Sequence, residues 1–166
     1  MRPMPVRASA LAAVLVVAAA AAFAAAPDPG NTRRDEIVML GNLAGSQSVS
    51  TGSDGVTHAE YSYNDRGRGD HIVATWKLDA AGVLTEFDAH GNDYMKAPVT
   101  ETFRLAGGKA TWSNRSEHGS TAVTGEAFYV PVNAPPEIFG VLARALLKAP
   151  GQRLPPGRRK VGREPE

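Results

Sequence analysis

The sequence predicts a mainly β fold: a curved antiparallel β-meander of about seven strands followed by one C-terminal α-helix. Three observations carry the prediction. Across residues 49–132, short runs alternate apolar and polar side chains, the period of strands with one buried face. Turn glycines at Gly55, Gly67, Gly82, Gly91, Gly108 and Gly119 break these runs every nine to seventeen residues, too often for the helical crossovers that parallel strands require. Only residues 134–148 carry a convincing helical spacing.

The elements follow in order. Residues 1–26 have the layout of a secretory signal peptide. Arg2 and Arg7 flank the start of an apolar run over residues 8–22, and Ala22-Phe23-Ala24 and Ala24-Ala25-Ala26 offer small-x-small cleavage sites. A retained membrane anchor is the less favoured alternative, because the run is short for a span and rich in weakly hydrophobic alanine. Residues 27–36 read as a polar linker. Ile37-Val38-Met39-Leu40 can begin a strand, and residues 47–51 are a weaker candidate. In residues 56–63, Thr57, Ala59, Tyr61 and Tyr63 share one face. Residues 64–70 form a turn, after which Ile72, Ala74, Trp76 and Leu78 point inward. Val83, Thr85, Phe87 and Ala89 share one side of the next strand, Val99, Glu101, Phe103 and Leu105 one side of the strand after it, and Ala110 and Trp112 one face of the next. Residues 116–119 read as a turn, and residues 126–132 as a last strand with Phe128 and Val130 on one face. In the helix, Asn133 or Ala134 is the cap and Pro135 and Pro136 occupy the first turn. Ile138, Leu142, Ala145 and Leu146, helped by Phe139 and Val141, form an apolar stripe expected to cover one sheet face. Residues 37–150 are thus one domain. Residues 151–166 hold five Lys/Arg, two Glu and almost nothing that could pack, and read as a disordered basic tail.

Composition excludes several classes. The 166 residues include no cysteine, which removes a disulfide framework, a thiol nucleophile and a Cys-ligated zinc. A net charge of +1 gives no pull toward nucleic acid, and no such partner is expected. With the leader cleaved, the mature chain is expected to be periplasmic or secreted in a bacterium, with no membrane association.

Several turn sets taken together carry a resemblance: Asn64-Asp65-Arg66-Gly67-Arg68-Gly69, Lys77-Leu78-Asp79 with Gly82, residues 91–99 (GNDYMKAPV), and Ala127-Phe128-Tyr129. Over roughly residues 45–150 the chain resembles the N-terminal β-rich region of exported bacterial amidohydrolases of the metal-dependent, imidazolonepropionase-like group. In that family a (β/α)-barrel follows, in which His, Asp and a bridging carboxylate hold one or two divalent metals, zinc among them, that activate a water. The resemblance therefore implies a non-catalytic accessory domain lacking its barrel. The four histidines, His58, His71, His90 and His118, include no His-x-His pair. On this reading the chain is inactive by itself, needs no cofactor, and partners either the missing barrel or, through an apolar face, itself. One synonymous coding of residues 154–160 reads, after loss of a single base, as Leu-Pro-Pro-Gly-Gly-Glu, so a frameshift near residue 156 is the expected origin of the truncation.

Two further readings stay open. A free-standing binding module would hold an apolar ligand among Tyr61, Tyr63, Trp76, Phe87, Phe103, Trp112 and Phe128, which could equally be plain core. Arg66 and Arg68 in the turn could add an anion site, or simply be solvated beside glycines needed for positive φ. A small metal-dependent hydrolase would use Asp88, His90 and Asp93, completed by His58 or Glu60, though the same residues suit a polar strand face ending in an Asn-Asp turn.

Overall fold

The structure, a computed structural model, describes residues 31–152 apart from Glu126. The expected signal peptide and all but the first two residues of the expected tail lie outside them. The fold is mainly β. Eight strands, β1 (Thr32–Met39), β2 (Asn42–Thr51), β3 (Thr57–Tyr63), β4 (His71–Leu78), β5 (Leu84–Asn92), β6 (Pro98–Ala106), β7 (Lys109–Asn114) and β8 (His118–Ala122), form one open sheet. Every neighbour is antiparallel and every connection a hairpin, so strand order is chain order. One helix, α1 (Glu137–Lys148), follows, then a short 3-10 turn at Pro150–Gln152.

Two strands lie where the sequence reads as something else. β1 begins at Thr32, inside the expected linker. It is an edge strand exposed along most of its length, held to β2 by backbone pairing, so it needs no apolar alternation to form. β8 occupies the stretch read as a turn, and its side chains are also polar and mostly exposed. Conversely, residues 127–132 are not a strand of the sheet. Ala127, Phe128 and Tyr129 are buried one after another, which places this segment within the core rather than across a pleated face.

The core lies on one face of the sheet, in rows set by register. Thr57, Trp76, Phe87, Phe103 and Trp112 sit side by side across β3 to β7, with Gly119 of β8 at the end. Gly119 is required there because a Cβ would stand 2.7 Å from the Trp112 ring. The adjacent row is Ala59, Ala74, Ala89 and Glu101. Its three alanines leave depth on this face, and Phe128, Tyr129, Ile138, Val141 and Ala145 join the same cluster. A bulge opposite Lys77 and Leu78 pairs Leu78 with Leu84 and lets Thr85 out of the ladder. Leu84, not Thr85, is therefore buried beside Phe87, against the strict alternation expected of this strand.

Two polar contacts from the sheet hold the last third of the chain. Glu101 is 0% exposed, and its carboxylate accepts hydrogen bonds from the Tyr129 hydroxyl (2.6 Å) and the backbone N–H groups of Val132 (2.9 Å) and Asn133 (3.0 Å). The Tyr129 ring stacks on Phe103 at 4.3 Å, so one side chain is fixed by both a ring and a carboxylate. The second contact starts the helix. Pro136, not Asn133 or Ala134, stands at the cap position, and it supplies no side-chain acceptor. Gln47 of β2 takes over: its Oε1 accepts the Glu137 N–H at 3.0 Å while its Nε2 donates to Asp35 at 3.0 Å. Gln47→Ala is expected to cost about 1–2 kcal/mol, the size of a lost cap plus an unpaired buried amide. A urea titration reads this directly, and a loss of less than a few tenths would mean that water caps the helix equally well.

Candidate functional site

The β1–β2, β3–β4, β5–β6 and β7–β8 loops lie at one end of the sheet, because alternate connections of a meander share an end. The β3–β4 and β5–β6 loops lock together there. Lys96 Nζ (2.9 Å) and Asn92 Nδ2 (3.3 Å) donate to the Gly69 carbonyl, the Gly69 N–H donates to the Tyr94 carbonyl (3.2 Å), and the Tyr94 hydroxyl donates to Asp65 (2.9 Å). Tyr61, Tyr63 and Tyr94 stand in series, with ring centres 5.7 and 6.3 Å apart. Burial, followed by the nearby Asp70 charge and Tyr63, pushes the Tyr61 hydroxyl up to about 12 and keeps it protonated at neutral pH. Arg66 is exposed and bonded to Asp65 at 3.0 Å, and that bond, then the one from Tyr94, holds Asp65 below the usual carboxylate range. The turn amides are also used internally: Gly67 N–H donates to Asn64 and Arg68 N–H to the Asp65 carbonyl. The loop thus presents tyrosine rings and an exposed Arg68, with its nearest guanidinium and amides already engaged.

The proposed metal ligands stay apart. Asp88 accepts from Arg104 through both oxygens (2.9 and 2.7 Å), and Arg104 also donates to the Phe87 and Phe103 carbonyls. His90 shares the helix-free face with Asp88, opposite Val73 and Thr100. Asp93 folds into its own turn, where one oxygen accepts the Met95 and Ala97 N–H groups at 2.9 Å each. Glu60 meets His71 at 3.2 Å, and His58 lies two strands from Asp88, across Thr75. Among the described residues no group of three or more such side chains is placed to hold a metal ion.

The aromatic set divides in two. Trp76, Phe87, Phe103, Trp112 and Phe128 are buried under the helix and the segment before it, so they fill the face that a ligand would have used. Tyr61 and Tyr63 are half-buried at the loop end. A cleft of about 270 Å³ remains where the start of α1 overhangs β2, β3 and β4, and Trp76, Leu78, Val141, Arg33, Arg144 and Glu137 line part of it. Glu137 lies between the two arginines, bonded to Arg33 and, at 2.6 Å, to Arg144. Burial pushes its carboxyl up, and the two hydrogen bonds together with the arginine charges more than reverse this, so Glu137 titrates below the ordinary glutamate value. A carboxylate with a lowered folded value contributes stability above its unfolded value and loses it as pH falls through the folded one. Glu137→Gln should therefore flatten the acid side of the stability–pH curve, measured by thermal melts, and leave the alkaline side unchanged. An acid limb identical to that of the parent chain would mean that the arginines do not couple to Glu137.

An exposed apolar line lies on the helix. Ile138, Val141 and Ala145 face the core, while Leu142 and Leu146 are only half-buried. Phe139 (65% exposed), Ala143 and Leu147 (72% exposed) form an i, i+4, i+8 line turned to solvent. Phe139, expected to help cover the sheet, thus faces solvent instead, because α1 is apolar on the side away from the sheet as well. The signal was present in the spacing of Phe139, Ala143 and Leu147, but a sequence shows apolar positions without showing how many a single sheet can cover. The meeting of Arg33, Arg144 and Glu137 had no local signal at all. Among the described residues no helix is long and apolar enough to cross a membrane. No family model, curated protein or solved structure matches the chain.

Proposed function

We propose that this chain is the exported, non-catalytic β-domain of an amidohydrolase-like protein, and that α1 is its docking face for a metal-dependent hydrolase barrel. The observation that carries the docking role is the exposed line of Phe139, Ala143 and Leu147 beside half-buried Leu142 and Leu146. A helix with apolar side chains on two sides is built to be covered on both. The amidohydrolase assignment rests on the turn sets at residues 64–69, 77–82, 91–99 and 127–129. The compartment, periplasmic or secreted, rests on the leader-like composition of residues 1–26. Reading the coding locus beyond the Pro150 codon in all three frames is the test. A barrel-length frame carrying His-x-His is the expected result, and its absence overturns the amidohydrolase reading.

The cleft beside Trp76 favours a second reading, a small binding module. Its apolar floor of Trp76, Leu78 and Val141 under two arginines suits an amphiphile with an acidic head. Calorimetric titration with short fatty acids should then show heat that Val141→Trp abolishes. No heat at millimolar ligand would remove this reading.

A further inference from the structure

We propose that β1 is a homodimerisation strand, pairing antiparallel with β1 of a second copy about a twofold axis at Asp35. β1 runs eight residues along the edge of the sheet, and every residue except Asp35 and Ile37 is exposed. Its outer backbone groups have no neighbouring strand in the sheet. A long edge of this kind is a template for another strand unless its side chains oppose pairing.

Here the side chains specify a partner. A twofold axis perpendicular to the sheet keeps paired residues on one face only when it passes through a residue. Placed at Glu36, it sets Glu36 against Glu36 with no opposite-charge pair beside it, and placed at Arg34, it sets Arg34 against Arg34 and pairs only Arg33 with Asp35, which are already bonded within the chain. Placed at Asp35, near the middle of β1, it sets each Arg34 opposite the partner's Glu36, twice, on the face away from the helix. Arg34 and Glu36 both point to that face, beside Ser48 and Ser46, and neither enters an ion pair among the described residues. On the other face the two Asp35 side chains meet. Each already accepts from Arg33 (3.1 Å) and Gln47 (3.0 Å), so each brings its own countercharge. The same register lays Arg33 opposite the partner's Ile37, and the exposed Val38 comes within the interface. The arrangement at Asp35 is thus the one that pairs the two charges of β1 that enter no ion pair among the described residues, and the partner is a second copy of this chain.

The test is a charge exchange, read as dimer dissociation constant by sedimentation equilibrium of the full chain. Arg34→Glu alone sets Glu against Glu, and Glu36→Arg alone sets Arg against Arg. Each is expected to weaken self-association by about tenfold or more, because two attractive cross-strand pairs become two repulsive ones. The double variant restores both pairs and should recover the parent affinity. A mixture of the two single variants should form a heterodimer, since each supplies the charge that the other lacks. Both positions are exposed strand sites, so folding is expected to be unaffected, and circular dichroism checks it. A monomer at every concentration overturns the proposal, as does a dimer indifferent to these changes. A dimer lost instead in Phe139→Lys would assign association to the helix face and likewise overturn the role of β1.

Discussion

Glu101→Ala is expected to lower stability by about 3–5 kcal/mol, the largest effect of any single polar side chain in the fold. The carboxylate is wholly buried and serves three donors: the Tyr129 hydroxyl and the amides of Val132 and Asn133. Removing it strands all three, at roughly 1–3 kcal/mol for each donor left without water. The amides are only part-buried and can recover some solvent, which holds the total below the simple sum. The consequence reaches further than β6, because this contact ties down the segment that leads into α1. For a domain of this size the loss corresponds to a fall in Tm of roughly 10 °C. Glu101→Gln keeps the volume and one acceptor while turning a donor toward an N–H group, so it should cost about half as much. Thermal melts of the two variants decide the matter. If the alanine variant melts with the parent, the Tyr129 ring on Phe103 holds the segment without help.

Gly91→Ala is expected to cost about 3 kcal/mol or more and to leave the chain partly unfolded at room temperature. Gly91 sits inside β5 at φ +140°, and a Cβ there would lie 1.9 Å from the His71 carbonyl oxygen of β4. β4 and β5 are central strands, so the sheet has no free direction in which to yield. Gly107→Ala is the control. Gly107 is also left-handed, at φ +57°, but nothing lies within 4 Å of its Cβ position, so only the conformational cost of about 1 kcal/mol remains. Equal losses for the two variants, measured by denaturant titration, would show that β4 and β5 separate easily and that the close approach has no structural weight.

The helix face and the β1 edge make separable demands on this small domain. A sheet with one helical layer covers only one of its own faces, and a helix can be covered by that sheet on only one side. The line from Phe139 to Leu147 and the edge of β1 are two of the surfaces that this geometry leaves for another chain, beside the β8 edge and the helix-free face of the sheet. Changes at Arg34 or Glu36 should therefore act on self-association and leave the helix face untouched, and changes at Phe139 should leave self-association unchanged.

The sequence by itself determined the class and which side chains share a face. Alternation along β3, β4, β6 and β7 groups the residues that turn out buried, Glu101 among them, because a strand's side chains obey a local period of two; Leu78, expected inward on β4, is instead exposed at its end. Turn glycines mark hairpins for the same local reason, since the chain needs positive φ where it reverses, as at Gly82 and Gly108, but Gly91 and Gly119, read the same way, lie inside β5 and β8. The tertiary structure decided what depends on distant partners. β8 and the first half of β1 are strands because β7 and β2 offer them backbone, and their polar side chains announce nothing; only Ile37-Val38-Met39 at the end of β1 carried a local signal. The bulge that buries Leu84 arises in pairing with β4. The helix begins where Gln47, 90 residues earlier, accepts an N–H, and Glu137 is held by Arg33, 104 residues away. Such contacts join side chains without a periodic signature, so no pattern along the chain encodes them. Only the folded sheet brings them together.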